Sequence, residues 1–168
     1  GVDMVAVVVP QAVVGAILQP TVSVEKRMTP ARQDFLEGDG YAWLRGDTIP
    51  AWQFELLNDD ETPVVLTGAN IIMDIYDRIN GSLLARLRTA GAPAAPNGQP
   101  EGVITITSAT LGTGRIEQVP PSVTNALIPS KSARKVQRWY TFEITWTGSP
   151  NVVITPFSGI IEVLPDGT

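Results

Sequence analysis

The chain contains no cysteine and no histidine. Thiol nucleophiles, disulfides, Cys/His zinc sites and every histidine-based triad or proton relay are therefore excluded. Any catalysis would rest on carboxylates, lysine, tyrosine or serine. The carboxylates that stand close in sequence form two sets. Asp59, Asp60 and Glu61 could ligate calcium, but their spacing is not that of an EF-hand loop. Turn chemistry alone accounts for Asn and Asp there. Asp74 and Asp77 are three residues apart, so on a strand they point to opposite faces and cannot converge as an acid/base pair. There is no glycine-rich phosphate loop, no Gly-x-Ser-x-Gly elbow and no zinc motif. The expectation is a non-enzymatic protein without cofactor or metal.

The basic residues are distributed unevenly. Lys131, Arg134, Lys135 and Arg138 place four of the 12 Lys+Arg within eight positions of a chain whose net charge is −5. Such a local reversal of sign is either a solvated loop or a docking element for an acidic patch on a neighbouring subunit. Nucleic acid is not expected as a partner, because no interleaving of aromatic and basic residues accompanies the cluster. Arg45-Gly46-Asp47 matches the integrin tripeptide and reads more simply as a turn at the entry to a strand.

The elements that must position these groups read as short strands. The 168 residues include 18 Val, 14 Ile and 16 Thr, punctuated by 15 Gly and 14 Pro. That mixture favours strands and tight turns over long helices. Trp52, Phe54 and Leu56 alternate with polar residues, and 58–63 is a turn cluster followed by a short segment at 64–66. Ile71, Met73 and Ile75 share one face, with Asp74 on the other. Asn80-Gly81 predicts a hairpin whose return strand is 83–87. A Pro/Ala/Gly loop fills 89–101, and strands follow at 103–107 and 114–119. Residues 122–127 have room for one helical turn. The clearest strand is 139–147, where Tyr140, Phe142, Ile144 and Trp146 point inward and alternate with polar residues. Segments 152–155 and 159–164 complete the set. Trp52, Trp139, Trp146, Phe54 and Phe142 read as core, and Trp43 as a junction residue. Seven or more short strands predict an all-β sandwich, with a closed barrel as the competing solution.

Residues 1–40 differ from this body. Apolar runs at 4–9 and 12–18 are broken by Pro10 and Gln19-Pro20, which is too short for a membrane span of about 20 residues. No basic region precedes them, as a signal peptide would require. The reading is an extended apolar arm, because Pro10, Pro20 and Pro30 forbid a long helix. Its receiving surface is either the chain's own sheet or neighbouring subunits. The residues expected to contact partners are Val5, Val7, Val9, Val13, Val14, Ile17 and Leu18 of the arm, together with Lys131, Arg134, Lys135 and Arg138.

One run of motifs resembles a known module. Arg45-Gly46-Asp47-Thr48 is followed by an apolar strand. Then comes Asn58-Asp59-Asp60-Glu61-Thr62-Pro63-Val64-Val65-Leu66-Thr67-Gly68-Ala69-Asn70-Ile71. Gly102-Val103-Ile104-Thr105-Ile106, Gly114-Arg115-Ile116, Tyr140-Thr141-Phe142-Glu143-Ile144 and the closing Gly159-Ile160-Ile161-Glu162-Val163-Leu164-Pro165-Asp166-Gly167-Thr168 continue it. Over residues 44–168 this order resembles the immunoglobulin-like β-sandwich of bacteriophages. That module occurs at the N-terminus of baseplate upper proteins and in small tail, neck or fibre-attachment proteins. The resemblance implies an immunoglobulin-like antiparallel β-sandwich for the body at 41–168; the arm at 1–40 precedes it and has no counterpart in the module. It implies a non-enzymatic structural component of the virion, in the tail or head–tail region. Its partners would be other virion proteins and copies of itself. The competing reading is a carbohydrate- or receptor-binding module, or a capsid decoration protein, with a host glycan or receptor as partner. Residues 1–40, the long 89–101 loop and the 128–138 segment depart from the module, and loops on a rigid scaffold are where specific contacts are made.

Overall fold

The structure is a computed structural model. It describes residues 13–15, 22–30, 43–58, 60–128, 134–147 and 152–165, with backbone alone at 13–15, 22–30, 52, 156 and 157. Ten strands and one short helix follow in order: β1 (Val13–Gly15), β2 (Val22–Pro30), β3 (Trp43–Leu44), β4 (Trp52–Asn58), β5 (Ala69–Tyr76), β6 (Leu83–Arg88), β7 (Glu101–Ser108), β8 (Thr113–Ile116), α1 (Pro121–Leu127), β9 (Val136–Trp146) and β10 (Val152–Leu164). The chain is all-β, as its composition predicts.

The strands hydrogen-bond in the order β1-β2-β4-β8-β7-β6-β5-β9-β10-β3. This run curls over on itself. Phe54 of β4 and Phe142 of β9 are separated in the run by β8, β7, β6 and β5. Their rings nevertheless meet edge to face with centroids 5.2 Å apart, a favoured geometry for aromatic pairs. The interior between the two halves is filled by the period-two residues. Ile71, Met73, Ile75, Phe142 and Ile144 have no exposed surface, and Tyr140 only 1%. Burial raises the pKa of the Tyr140 hydroxyl far above that of free tyrosine.

Two features differ from the sequence reading. The pairing is mixed: β6 runs parallel to β7, and β10 parallel to β3. A parallel pair needs a crossover connection, and the long loop after β6 is that connection. It returns the chain to the end from which β6 started. Segments 152–155 and 159–164 are one strand, β10, whose register against β9 shifts between Ile154 and Phe157. Pro156 lies inside that shift. Proline has no N–H for a ladder, so a bulge is where a strand tolerates it.

The expected N-terminal arm falls partly on the described backbone. Residues 22–30 form β2, which pairs antiparallel with β4 from Val24↔Asn58 to Pro30↔Trp52. Residues 13–15 form β1, which pairs with β2. The remainder of 1–40 lies outside the described residues.

Glycine is required at two neighbouring positions of the β7–β8 turn and β8. Gly114 pairs with Phe54, and a Cβ there would fall 2.2 Å from the Phe54 ring. The missing side chain is what lets the ring lie across β8 toward Phe142. Gly112 has φ +68°, and a Cβ would stand 2.6 Å from the Leu56 carbonyl oxygen and 2.7 Å from that of Val64. Both neighbours are backbone and cannot rotate away. Gly112→Ala is expected to destabilise by about 2–3 kcal/mol, combining left-handed backbone strain with overpacking. Urea unfolding would measure it, and a loss below about 0.5 kcal/mol would contradict the stated geometry.

Candidate functional site

The outer faces of β6, β5, β9 and β10 carry cross-strand rows of chemically interesting side chains. One row pairs Arg86 with Asp74, Asp74 with Thr141, and Thr141 with Ser158. A second row pairs Tyr76 with Trp139 and Trp139 with Ile160. A third pairs Arg88 with Ile72 and Ile72 with Glu143. Residues on one face of neighbouring strands are close enough for side-chain contact.

Asp74 does not wait for a substrate. Arg86 donates Nε to its Oδ1 at 2.7 Å and Nη2 to its Oδ2 at 3.0 Å. The Tyr76 hydroxyl donates to Oδ2 at 3.3 Å. The hydroxyl proton of Tyr76 is held more tightly than usual, first by burial and then by the Asp74 charge. Arg86 Nη1 also donates to the carbonyls of Pro93 and Ala94 at 3.2 and 3.1 Å. Arg88 repeats the device. It makes a two-point bond to Glu101 at 3.0 and 3.1 Å and donates to the Ala92 carbonyl at 2.7 Å. Glu101 in turn accepts from the Ala95 amide at 2.6 Å. The 89–101 loop, expected to reach outward, is thus strapped to its own sheet by two arginines.

Asp74 and Asp77 do fall apart as parity predicts. Asp77 serves the hairpin: its Oδ1 accepts from the Ser82 amide at 2.8 Å and its Oδ2 from Arg78 at 3.1 Å. Asn80 takes the φ of +59° that the turn demands. Asp60 is likewise a turn group, accepting from the Thr62 amide at 3.0 Å and from its hydroxyl. Those bonds hold the Asp60 carboxyl below its ordinary pKa. Arg45-Gly46-Asp47 is a turn packed on α1. Arg45 Nε donates to the Ile128 carbonyl at 2.9 Å. The buried Thr124 hydroxyl accepts from the Gly46 amide at 3.1 Å and donates to the Asp47 carbonyl at 2.9 Å.

The carboxylates respond to pH in two opposing ways. Glu101, bonded to Arg88 and the Ala95 amide, and Glu117, bonded to Arg115 and Thr105, sit below the ordinary glutamate pKa. Their stabilisation is present above the unfolded value and is lost as pH falls through the folded one. Glu143 is shifted upward, first by burial and then by the Asp74 charge, with Arg86 opposing in part. Its folded form binds a proton more tightly than the unfolded chain, so ionising it destabilises the fold. Glu143→Gln is expected to raise stability at pH 7 by a few tenths of a kcal/mol and to leave it unchanged near pH 4, where the native glutamate is already substantially protonated. Denaturant unfolding at both pH values checks the sign. A loss of stability at pH 7 would contradict it.

Of the residues expected to contact partners, Val5, Val7, Val9, Ile17, Leu18 and Lys131 lie outside the described residues. Val13 and Val14 lie in β1, where only the backbone is described. Arg134 and Lys135 are exposed just before β9, and Lys135 Nζ lies 3.5 Å from Glu162 of β10. Arg138 is a strand residue rather than a loop residue. Its Nε donates to the Leu127 carbonyl at 2.6 Å and its Nη1 to the Asp77 carbonyl at 3.2 Å, which ties α1, β9 and the hairpin together.

Beside Arg138 lies an open groove of about 350 Å³ over Trp139, walled by Ile79 and Ile160, with Arg78 and Gln137 at its edge. Ile79 is 59% exposed and Ile160 44%. The sequence reading put Trp139 in the core. The structure places it half-buried on the outer face, opposite in parity to Tyr140, Phe142 and Ile144. The signal was available: odd positions of β9 share the face of Thr141 and Glu143. Trp43, read as a junction residue, is fully buried. No family model and no curated protein matches the chain.

Proposed function

We propose that the chain is a non-enzymatic structural subunit of a bacteriophage virion, a tail, baseplate or neck component with an immunoglobulin-like β-sandwich body. The observation that carries this reading is where the exposed chemistry lies. Asp74, Glu101 and Glu117 are each joined to an arginine of the same chain, and Asp60 and Asp77 shape turns. What faces solvent instead is an apolar groove beside Arg78, Asp77 and Arg138, the makings of a contact surface rather than of a reaction centre. The motif order in the sequence supports the phage assignment, and its segments fall on the framework: the turn after β3, then β5, β7, β8, β9 and β10. Assembly would draw affinity from apolar burial and orientation from the cationic cluster.

The test is mass spectrometry of gradient-purified particles from cells that express the gene in its native phage. The chain is expected in the particle band at a fixed ratio to known tail proteins, and its absence there rejects the reading. Deleting residues 2–12 tests the arm while sparing the β2–β4 ladder, and undiminished incorporation would remove the arm from the mechanism. A carbohydrate-binding module is the second reading, favoured by the half-exposed Trp139 ring with Gln137 at hand. Specific, Trp139-dependent binding on a glycan array would select it.

A further inference from the structure

We infer that the groove over Trp139 is a docking site for a short acidic segment of another protein, one carrying large apolar side chains. This rests on the reading of the chain as an assembly subunit and supplies the chemistry of its partner. The floor asks for apolar groups. Ile79 and Ile160 stand on either side of Trp139, and both keep more than two-fifths of their surface in water. An occupant that dehydrates them gains the usual hydrophobic free energy.

The rim asks for carboxylates. The groove lining carries two arginines, Arg78 and Arg138, against one carboxylate, Asp77, in a chain that overall has 12 cations and 17 anions; Lys135 stands beyond the groove, beside Glu162. Asp77 is engaged by the Ser82 amide and Arg78, and Glu162 by Lys135. The anions present are therefore already neutralised locally. Those pairs occupy their own cations as well, although the Arg78 side chain remains 77% exposed; Arg138, which donates to the Leu127 and Asp77 carbonyls, is the lining charge that no carboxylate among the described residues offsets. Gln137 and Trp139 share one parity of β9, so the aromatic floor is continued along the sheet by a polar side chain. Acidic flanks on the incoming segment would find these cations on approach, and its apolar side chains would fill the groove.

The probe is a display library of random peptides screened against the purified full-length protein. Peptides combining Asp or Glu with Leu, Phe or Trp are expected to be enriched. Their binding should weaken at least about ten-fold for both Ile160→Glu and Arg78→Glu. It should be unchanged for Val153→Glu, a similarly exposed β10 position away from the groove. Thermal melts establish that each variant is folded, and Arg78→Glu, in the solvent-facing hairpin, carries the test if Ile160→Glu fails to fold. No enrichment, enrichment of peptides without carboxylates, or indifference to both substitutions would overturn the inference. So would self-association abolished by Ile160→Glu, which would assign the groove to a second copy, or Trp139-dependent glycan binding, which would assign it to a sugar. If the chain proves absent from particles while the peptide result stands, the virion reading fails and the docking site does not.

Discussion

Phe142→Ala is expected to destabilise the protein by about 3–5 kcal/mol, a large share of the roughly 5–15 kcal/mol that holds an ordinary domain folded. The ring is fully buried. It is also the residue through which two distant stretches of the hydrogen-bonded run touch, edge to face with Phe54 at 5.2 Å. Truncation removes the transfer free energy of the ring and leaves a void where that contact stood. The void cannot close cheaply, because Phe54 is held against Gly114 by cross-strand pairing. Phe54→Ala should cost a comparable amount. The double variant should cost less than the sum, since the second truncation enlarges a cavity already made. Urea unfolding of the three variants gives the coupling. Strict additivity would mean that the rings do not depend on one another.

Arg86→Ala is the second large effect, expected at about 3–5 kcal/mol. The side chains of Arg86 and Asp74 are only 14% and 11% exposed. Removing the cation leaves Asp74 poorly solvated, without its two arginine bonds, and near Glu143, which burial and then the Asp74 charge already shift upward. It also frees the Pro93 and Ala94 carbonyls. Asp74→Ala should cost less, about 1–3 kcal/mol, because Arg86 keeps those carbonyl bonds and its attraction to Glu143. Replacing both partners with apolar residues should restore much of the loss. Amide exchange gives a second readout: the Ala95 amide, bonded to Glu101 in the same loop, should lose protection in Arg86→Ala as the loop loosens. An Arg86→Ala loss under about 1 kcal/mol would show that water solvates Asp74 well, contrary to its 11% exposure.

Much of the body was legible because strands write themselves at period two. Ile71, Met73 and Ile75, or Tyr140, Phe142 and Ile144, can satisfy a buried face in no other regular structure. Pro121 at the start of α1 marked the helical turn, and Asn80-Gly81 the hairpin. The turn role of Asp60 followed from the local preferences of that residue, whereas Asp77 was read only as a strand residue opposite Asp74 and its hairpin role came from the structure. Pairing was not legible. Whether neighbouring strands run parallel depends on where a loop delivers the chain, and the Pro/Ala composition of 89–101 says nothing about its exit. Nor was the role of that loop. Arg86 falls inside the expected return strand and Arg88 one residue beyond it, and their carbonyl partners lie on a segment whose position only the closed sheet defines. Trp139 was misassigned because a large aromatic beside a core strand invites burial, although its parity placed it outside.

The residues by themselves determined that this is an all-β protein without thiol, disulfide or histidine chemistry, since absent side chains can do nothing and β-branched alternation has one stable outcome. They also located a reversal of charge ahead of the aromatic strand. Tertiary structure alone decided that Asp74 and Glu101 are tied up by arginines from other strands and that Arg138 braces the fold. It alone set Ile79, Trp139 and Ile160 around one groove. Those are relations between residues far apart along the chain, fixed by strand order and register, and register is a property of the folded sheet.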